Sequence, residues 1–166
     1  MKNITNYTLK KATEHIFYEA WMFFETIKIL RKPISQISRN ILLDAYAIHC
    51  RNLFLFLYPA SKNQKDDILV NHYIEKKKEY NRNKTKRGEL KFILKKANKQ
   101  AAHLTYSRNR FGKKTKPWFF VDIGKKMHKS LVAFYKALPE PYQKWSYFIK
   151  LKKALNEVEN DDYLFN

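Results

Sequence analysis

Apolar residues recur at three- and four-residue spacing along most of this chain, which is the pattern of amphipathic helices. Residues 8 to 31 form the first such stretch, which ends before Pro33. Its apolar stripe consists of Ile16, Ala20, Phe23, Phe24, Ile27 and Leu30. Residues 39 to 58 are apolar on nearly every side, between a Ser38 N-cap and Pro59. We therefore expect this second helix to be the central and most buried element.

The rest of the chain predicts three more helices, at about residues 89 to 107, from Pro117 onward, and at 142 to 158. The apolar stripes are Leu90, Ile93, Leu94, Ala97, Ala101 and Leu104 for the third helix, and Phe120, Ile123, Met127, Leu131 and Phe134 for the fourth. Residues 59 to 88 are polar and weakly periodic, so we expect a mobile basic loop there, in which 68 to 80 could form a short helix. The pattern predicts an all-α, single-domain bundle of about five helices.

Charge is distributed unevenly along this basic chain. It contains 34 Lys and Arg against 15 Asp and Glu, a formal net charge of +19, while 45% hydrophobic residues are enough for a folded core. Residues 61 to 117 hold 18 of the basic residues and 5 of the acidic ones, interspersed with aromatic residues, whereas residues 157 to 166 form an acidic tail. Cations mixed with stacking faces are typical of proteins that bind single-stranded nucleic acid. We expect RNA as the first partner and DNA as the second; the alternative is a solvated, lysine-rich surface without a ligand.

Several kinds of site and location are disfavoured by the sequence. Cys50 is its only cysteine, so we expect neither an internal disulfide nor a thiolate metal cluster, which fits a reducing, cytoplasmic setting. We expect neither secretion nor a membrane span, because the longest apolar stretch, 41 to 58, is interrupted by charged and polar residues. His15 and Glu19 have a spacing that can ligate zinc, but no third ligand is evident nearby, so we expect no metal. Only three glycines occur, which argues against phosphate-binding loops and nucleotide cofactors.

Three polar residues interrupt the second helix at regular intervals. Asp44, Arg51 and Tyr58 recur every seven residues and therefore lie at nearly the same azimuth. A buried Arg51 would need a carboxylate, a carbonyl cluster, an opening to water or a bound phosphate. One interpretation is that Arg51 pairs with Asp44 or a helix C-terminus and orders the core. The other is that Arg51 points into the same cleft as His103.

Two stretches carry a family resemblance: RNILLDAYAIHCRNL at residues 39 to 53 and ANKQAAHLT at residues 97 to 105. Over roughly residues 38 to 118 the chain resembles an uncharacterised bacterial helical family and, more distantly, HEPN domains, which are small helical bundles. In active HEPN proteins an Arg, a polar residue, a short spacer and a His form a metal-independent ribonuclease site at a dimer cleft; other members are binding or toxin-antitoxin partners. The resemblance places His103 at the family's histidine, with Asn98 at the position of its arginine and Lys99 at that of the polar companion.

Metal-independent RNA cleavage needs a base for the 2′-hydroxyl, a cation for the charge on the phosphorus oxygens and an acid for the leaving 5′-oxygen. Arg51, Lys99 or Arg108 could supply the cation, and we assign His103 and Arg51 as the candidate catalytic pair, with a histidine from a symmetry mate as the acid. The candidate substrate-binding residues are Asn98, Lys99, Arg108, Arg110, Lys95, Lys96 and Tyr106. The alternative role for His103 is a hydrogen bond to a core group such as Asp44 or Tyr46.

Two function classes therefore remain. The chain is either a HEPN-like ribonuclease of a toxin or phage-defence system, or a non-catalytic module that binds nucleic acid or a protein partner. Asn98 in place of arginine favours binding, whereas burial of Arg51 favours catalysis, which requires Arg51 and His103 to face one groove. We expect a homodimer or a complex with a partner protein, and a third alternative is association of the last helix with an anionic membrane surface.

Overall fold

The computed structural model describes residues 4–60, 66–98 and 118–161, and these ranges contain helices and no β-strand. In chain order the elements are α1 (Asn6–Leu30), α2 (Gln36–Leu57), a 3₁₀ turn (Val70–His72), α3 (Lys77–Asn83), α4 (Arg87–Leu90), α5 (Phe92–Lys96), α6 (Phe120–Lys136), α7 (Glu140–Gln143) and α8 (Ser146–Glu159). The predicted all-α class is confirmed, although the chain is divided into more helical pieces than the about five expected. Among the described helices, none combines the length and the apolar character that a membrane span requires.

The first helix forms as its pattern predicts. Thr5 caps it, because the backbone N–H of Thr8 donates to the Thr5 hydroxyl over 3.2 Å. The whole predicted stripe of α1 is buried, from Ile16 to Leu30. The helix packs on α2, α6 and α8, so α1 supplies one wall of the core.

The second helix starts earlier than predicted. Ser35, not Ser38, is its N-cap: the backbone N–H of Ser38 donates to the Ser35 hydroxyl over 3.1 Å. After the joint at Pro33, the Arg39 guanidinium donates to the carbonyl of Leu30 over 3.1 Å, which ties the start of α2 to the end of α1.

The second helix was also predicted to be the most buried element, and that prediction is wrong, since α2 buries eight of its 22 residues and α6 eight of its 17. The inner side is buried, at positions that include Tyr46, Leu53 and Leu57, but Ile37, Ile41 and Ile48 on the outer side are exposed. Although α2 is apolar on nearly every side, only one of its sides faces the core formed by the described helices.

The segment predicted as a mobile loop, 59 to 88, is largely structured where it is described. It contains the 3₁₀ turn and α3, and its aromatic and aliphatic residues Val70, Tyr73, Ile74 and Tyr80 are buried. The Tyr73 hydroxyl donates to the carbonyl of Leu9 over 3.2 Å. The many lysines of this segment made its apolar residues hard to recognise in the sequence. Apolar residues separated by charged ones can still pack on a core when their spacing is helical.

The remaining helices complete the bundle. α6 buries four of the five residues of its predicted stripe, Ile123, Met127, Leu131 and Phe134, and half-buries the fifth, Phe120. The predicted third helix is divided into α4 and α5, and its part beyond residue 98 lies outside the described residues. The predicted last helix is α8, preceded by the short α7; α8 buries Phe148, Leu151, Leu155 and Val158, so its apolar side packs on the domain rather than facing outward.

Candidate functional site

Arg51 occupies the edge of α2 between its buried and exposed sides. The residue is half-buried, and its Nε atom is buried without a hydrogen-bond partner among the described residues. Asp44 is exposed and forms no ion pair with Arg51; seven residues of helix separate them by about 10 Å along the axis. An unsatisfied buried donor costs about 1 to 3 kcal/mol, so this atom marks a place where an acceptor from outside the described residues would stabilise the protein.

Tyr58, the last of the three polar residues spaced seven positions apart, has a structural role. Tyr58 is buried, and its hydroxyl donates to the carbonyl of Thr85 over 2.8 Å and lies 2.7 Å from the Ser130 hydroxyl. Burial raises the pKa of Tyr58 to about 12, with the Ser130 hydrogen bond acting in the opposite direction, so the phenol stays neutral. Asp44, Arg51 and Tyr58 therefore run from the surface to the core instead of forming one polar stripe.

Three of the predicted substrate-binding residues lie at or next to α5, which packs against α2. Lys95 is exposed and Asn98 is half-buried. Lys96 is nearly buried, with its Nζ atom 5.0 Å from the centroid of the Trp118 ring, and burial lowers the pKa of this lysine. These side chains thus lie on an element adjacent to the helix that carries Arg51.

Five predicted site residues fall outside the described residues: Lys99, His103, Tyr106, Arg108 and Arg110. Whether His103 and Arg51 share a groove stays a prediction.

The segment from 76 to 96 is rich in cations, and we call its exposed part the basic surface. It contains ten Lys and Arg residues and two Glu residues, Glu79 and Glu89. Eight of the ten cations are exposed, whereas Lys84 is half-buried and Lys96 nearly buried. None of the eight exposed cations forms an ion pair with a described acidic residue. This surface therefore has a large uncompensated positive charge.

Aromatic rings hold two of these cations in place. The Lys84 Nζ atom lies 4.9 Å from the centroid of the Tyr58 ring and 4.4 Å from that of Tyr80, and Arg87 lies 5.9 Å from the ring of Phe54. Burial, followed by the nearby charge of Arg87, lowers the pKa of Lys84. The Tyr80 hydroxyl donates to the carbonyl of Leu57 over 2.7 Å, which fixes the ring itself.

The joint between α3 and α4, residues 84 to 86, is anchored to the core by hydrogen bonds. The backbone N–H of Thr85 donates to the Ser130 hydroxyl over 3.2 Å, and the Thr85 hydroxyl donates to the carbonyl of Lys126 over 2.9 Å. Together with the Tyr58 hydrogen bond, these contacts attach the joint to α2 and α6. The basic surface is thus built on a backbone held at fixed positions, which lowers the ordering cost of binding a ligand.

Sequence reasoning missed a polar network between α1 and α2. Glu19 Oε2 lies 2.7 Å from His49 Nδ1, and the Asn52 amide donates to Glu19 Oε1 over 3.1 Å. Glu19 thus pairs with His49 and not with His15, whose spacing from Glu19 was considered for zinc and set aside. A carboxylate and a histidine inside two apolar stretches were the available signal, but a partnership across 30 residues has no periodic pattern.

The network borders a cavity of about 340 Å³. Its polar lining is His15, Glu19, Asn52, Asp66 and Asp67, and its apolar lining includes Ile16, Leu53, Phe56 and Ile68. Within the described ranges, no three His, Cys, Asp or Glu side chains are arranged to hold a metal ion. The cavity is acidic, which makes it unlike the basic surface.

No protein-family model, curated protein or solved structure matches this chain.

Proposed function

We propose that this chain is an RNA-binding protein that holds the phosphate backbone of a single strand on the basic surface. The observation that carries this proposal is the uncompensated charge of residues 76 to 96, where eight cations are exposed on an anchored backbone. Lys and Arg that face water without acidic neighbours gain most by displacing counterions from a polyanion. A protein partner with an acidic surface is the alternative.

Exposed aromatic rings near the basic surface favour a single strand over a duplex. Phe92 on α5 is exposed, and Phe119, just before α6, is 63% exposed. Unpaired bases can stack on such rings, whereas the bases of a duplex are already stacked on each other. Both rings are close in sequence to cations, with Lys91 preceding Phe92.

Binding can be measured by fluorescence anisotropy with a labelled single-stranded RNA, using duplex DNA of the same length for comparison. The informative variant is Lys91→Glu/Lys95→Glu, since both lysines are exposed and unpaired on the basic surface. Its matched control is Lys144→Glu/Lys153→Glu, which changes the net charge equally at exposed positions of the opposite end of the chain. We expect the first variant to weaken RNA binding by about tenfold or more and the control by less than about threefold. Equal losses would leave only a non-specific effect of net charge.

A second candidate function, metal-independent RNA cleavage, is favoured by one specific observation. The Nε–H of the Arg51 guanidinium is buried without a described hydrogen-bond acceptor, and a phosphate oxygen can act as that acceptor. In this candidate, His103 takes the 2′-hydroxyl proton and the 2′-oxygen attacks phosphorus. The bond to the 5′-oxygen breaks, that oxygen receives a proton from a second histidine, and a 2′,3′-cyclic phosphate remains. Arg51 stabilises the charge on the phosphorus oxygens, while Asn98 and Lys99 position the phosphate.

The cleavage candidate is tested with end-labelled RNA in excess EDTA, comparing the wild type with His103→Ala and Arg51→Ala. Discrete cuts ending in 2′,3′-cyclic phosphate that disappear in both variants would support it. Salt-sensitive binding without cleavage by the wild type would reject the enzyme and retain the binding proposal. The toxin and phage-defence roles depend on the enzyme candidate and would be rejected with it.

A further inference from the structure

The outer face of α2 is an apolar stripe that no described helix of the chain covers. It consists of Ile37, Ile41, Asp44, Ile48, Arg51 and Leu55. The three isoleucines are 74%, 64% and 50% exposed, Asp44 is exposed, and Arg51 and Leu55 are half-buried. A monomer gains nothing from three isoleucines in water, because each exposed side chain forgoes about 1.5 to 3 kcal/mol of burial free energy.

The spacing of these residues is that of a helix-packing seam. Successive members are separated by four, three, four, three and four residues, as in the core positions of a coiled coil. The series spans 18 residue steps, or about 27 Å of helix. Tyr18 of α1 borders it: this ring is 46% exposed and lies 5.7 Å from the ring of His49, next to Ile48.

The charges in this series complement one another under a two-fold rotation centred on Ile48. Asp44 lies four residues before Ile48 and Arg51 three residues after it, while Ile41 and Leu55 lie seven residues on either side. In an antiparallel pair of α2 helices, Ile48 would meet Ile48, Asp44 would meet Arg51 twice, and Ile41 would meet Leu55. Such self-complementarity is the requirement of an isologous dimer.

Asp44 and Arg51 also lack ion-pair partners among the described residues. Neither forms an ion pair with a described residue, and the Arg51 Nε is buried without an acceptor. Two chains of net charge +19 repel each other, so association needs a face with little net charge. The outer face of α2 carries one acid and one base, whereas the basic surface would oppose contact with a second copy.

From this geometry we infer that the outer face of α2 is the interface of an antiparallel homodimer, centred on Ile48, in which Asp44 of each copy pairs with Arg51 of the other. The inference does not rest on RNA binding. It is also compatible with the cleavage candidate, since a guanidinium has five donors and a carboxylate engages two of them. We assign the face to a second copy of this chain because the same six residues supply both sides of the antiparallel contact.

The test is the mass of the full-length protein in solution, measured by sedimentation equilibrium after nuclease treatment. We expect twice the 20.1 kDa of one chain at micromolar concentration. Asp44→Arg and Arg51→Asp each place like charges opposite one another and should weaken dimerisation by about tenfold or more. The double variant Asp44→Arg/Arg51→Asp restores opposite charges and should dimerise within about threefold of the wild type. Glu140→Arg, an exposed charge reversal on α7, is the matched control and should leave the mass unchanged.

Ile48→Lys provides an independent check, because it places two ammonium groups on the proposed two-fold axis. It should give a monomer with an unchanged far-ultraviolet circular dichroism spectrum, since Ile48 is exposed in the single chain. A monomeric wild type at about 100 µM would overturn the inference and assign the face to another occupant, such as residues 99 to 117 of the same chain or a different protein. A dimer unaffected by Ile48→Lys, or a double variant that remains monomeric, would also overturn it. None of these results depends on RNA, so the outcome is separate from that of the binding proposal.

Discussion

Ser130→Ala removes one hydroxyl group from the buried site that anchors the joint between α3 and α4. In the structure this hydroxyl accepts from the Thr85 backbone N–H over 3.2 Å, lies 2.7 Å from the Tyr58 hydroxyl and donates to the carbonyl of Lys126 over 2.9 Å. Tyr58 retains its bond to the carbonyl of Thr85, but the Thr85 N–H loses its acceptor. Leaving that buried donor unpaired should lower the free energy of unfolding by about 1 to 3 kcal/mol.

A matched control is available on α1. The Thr26 hydroxyl is buried and donates to the carbonyl of Met22, four residues earlier, as Ser130 does to Lys126, but it accepts no bond from another element. Thr26→Val should therefore cost less than about 1 kcal/mol. Thermal unfolding, at about 2 to 4 °C per kcal/mol for a chain of this size, resolves the two variants.

The same pair of variants links the anchor to function. If the joint positions the cations of the basic surface, Ser130→Ala should weaken RNA binding at a temperature where both variants are folded, and Thr26→Val should not. Equal stability losses in the two variants would refute the hydrogen-bond argument. Unchanged RNA affinity in a destabilised Ser130→Ala would refute the role of the joint in binding.

Three further predictions concern the buried polar groups. Glu19→Ala should lower the free energy of unfolding, measured in urea, by about 1 to 3 kcal/mol, because it leaves His49 without an acceptor. Glu25→Ala on the same helix should cost less than about 0.5 kcal/mol, and equal costs would contradict the role of Glu19. Burial lowers the pKa of His128 below the ordinary 6.5, so stability should be complete above about pH 7 and fall as acid protonates the unfolded chain first. His128→Gln should flatten that profile below about pH 7, and an unchanged profile would refute the assignment. Cys50 is fully buried and burial raises the pKa of its thiol, so an aromatic disulfide reagent should label it only at the rate of unfolding; labelling as fast as a free thiol would show an accessible site.

The sequence was sufficient for the helices whose burial follows a simple period. The stripes of α1 and α6 are buried as predicted, because each helix meets the core on one side. Burial of Tyr73, Ile74 and Tyr80 in the described part of 59 to 88 was not predicted, since these residues are spaced among lysines that dominate the composition. The composition of the segment is dominated by residues that face water, whereas a few large buried aromatic rings are enough to pack the segment against the core.

The candidate site was less predictable. The sequence singled out Arg51 as a cation in an apolar helix, and its buried, unpaired Nε agrees with that interpretation. It could not reveal that Glu19 selects His49 instead of His15, since tertiary packing brings them together. Nor could it separate the buried and exposed sides of α2, because large apolar residues occupy both, with Leu53 and Leu57 buried and Ile41 and Ile48 exposed.

The salt dependence of RNA binding tests the central claim most directly. For a single strand, the logarithm of the affinity should fall with the logarithm of salt concentration by about 0.7 per phosphate neutralised. We expect a steep slope for the wild type, a shallower one for Lys91→Glu/Lys95→Glu and the wild-type slope for Lys144→Glu/Lys153→Glu. A wild-type slope near zero, or the same slope in all three proteins, would contradict phosphate binding by the basic surface.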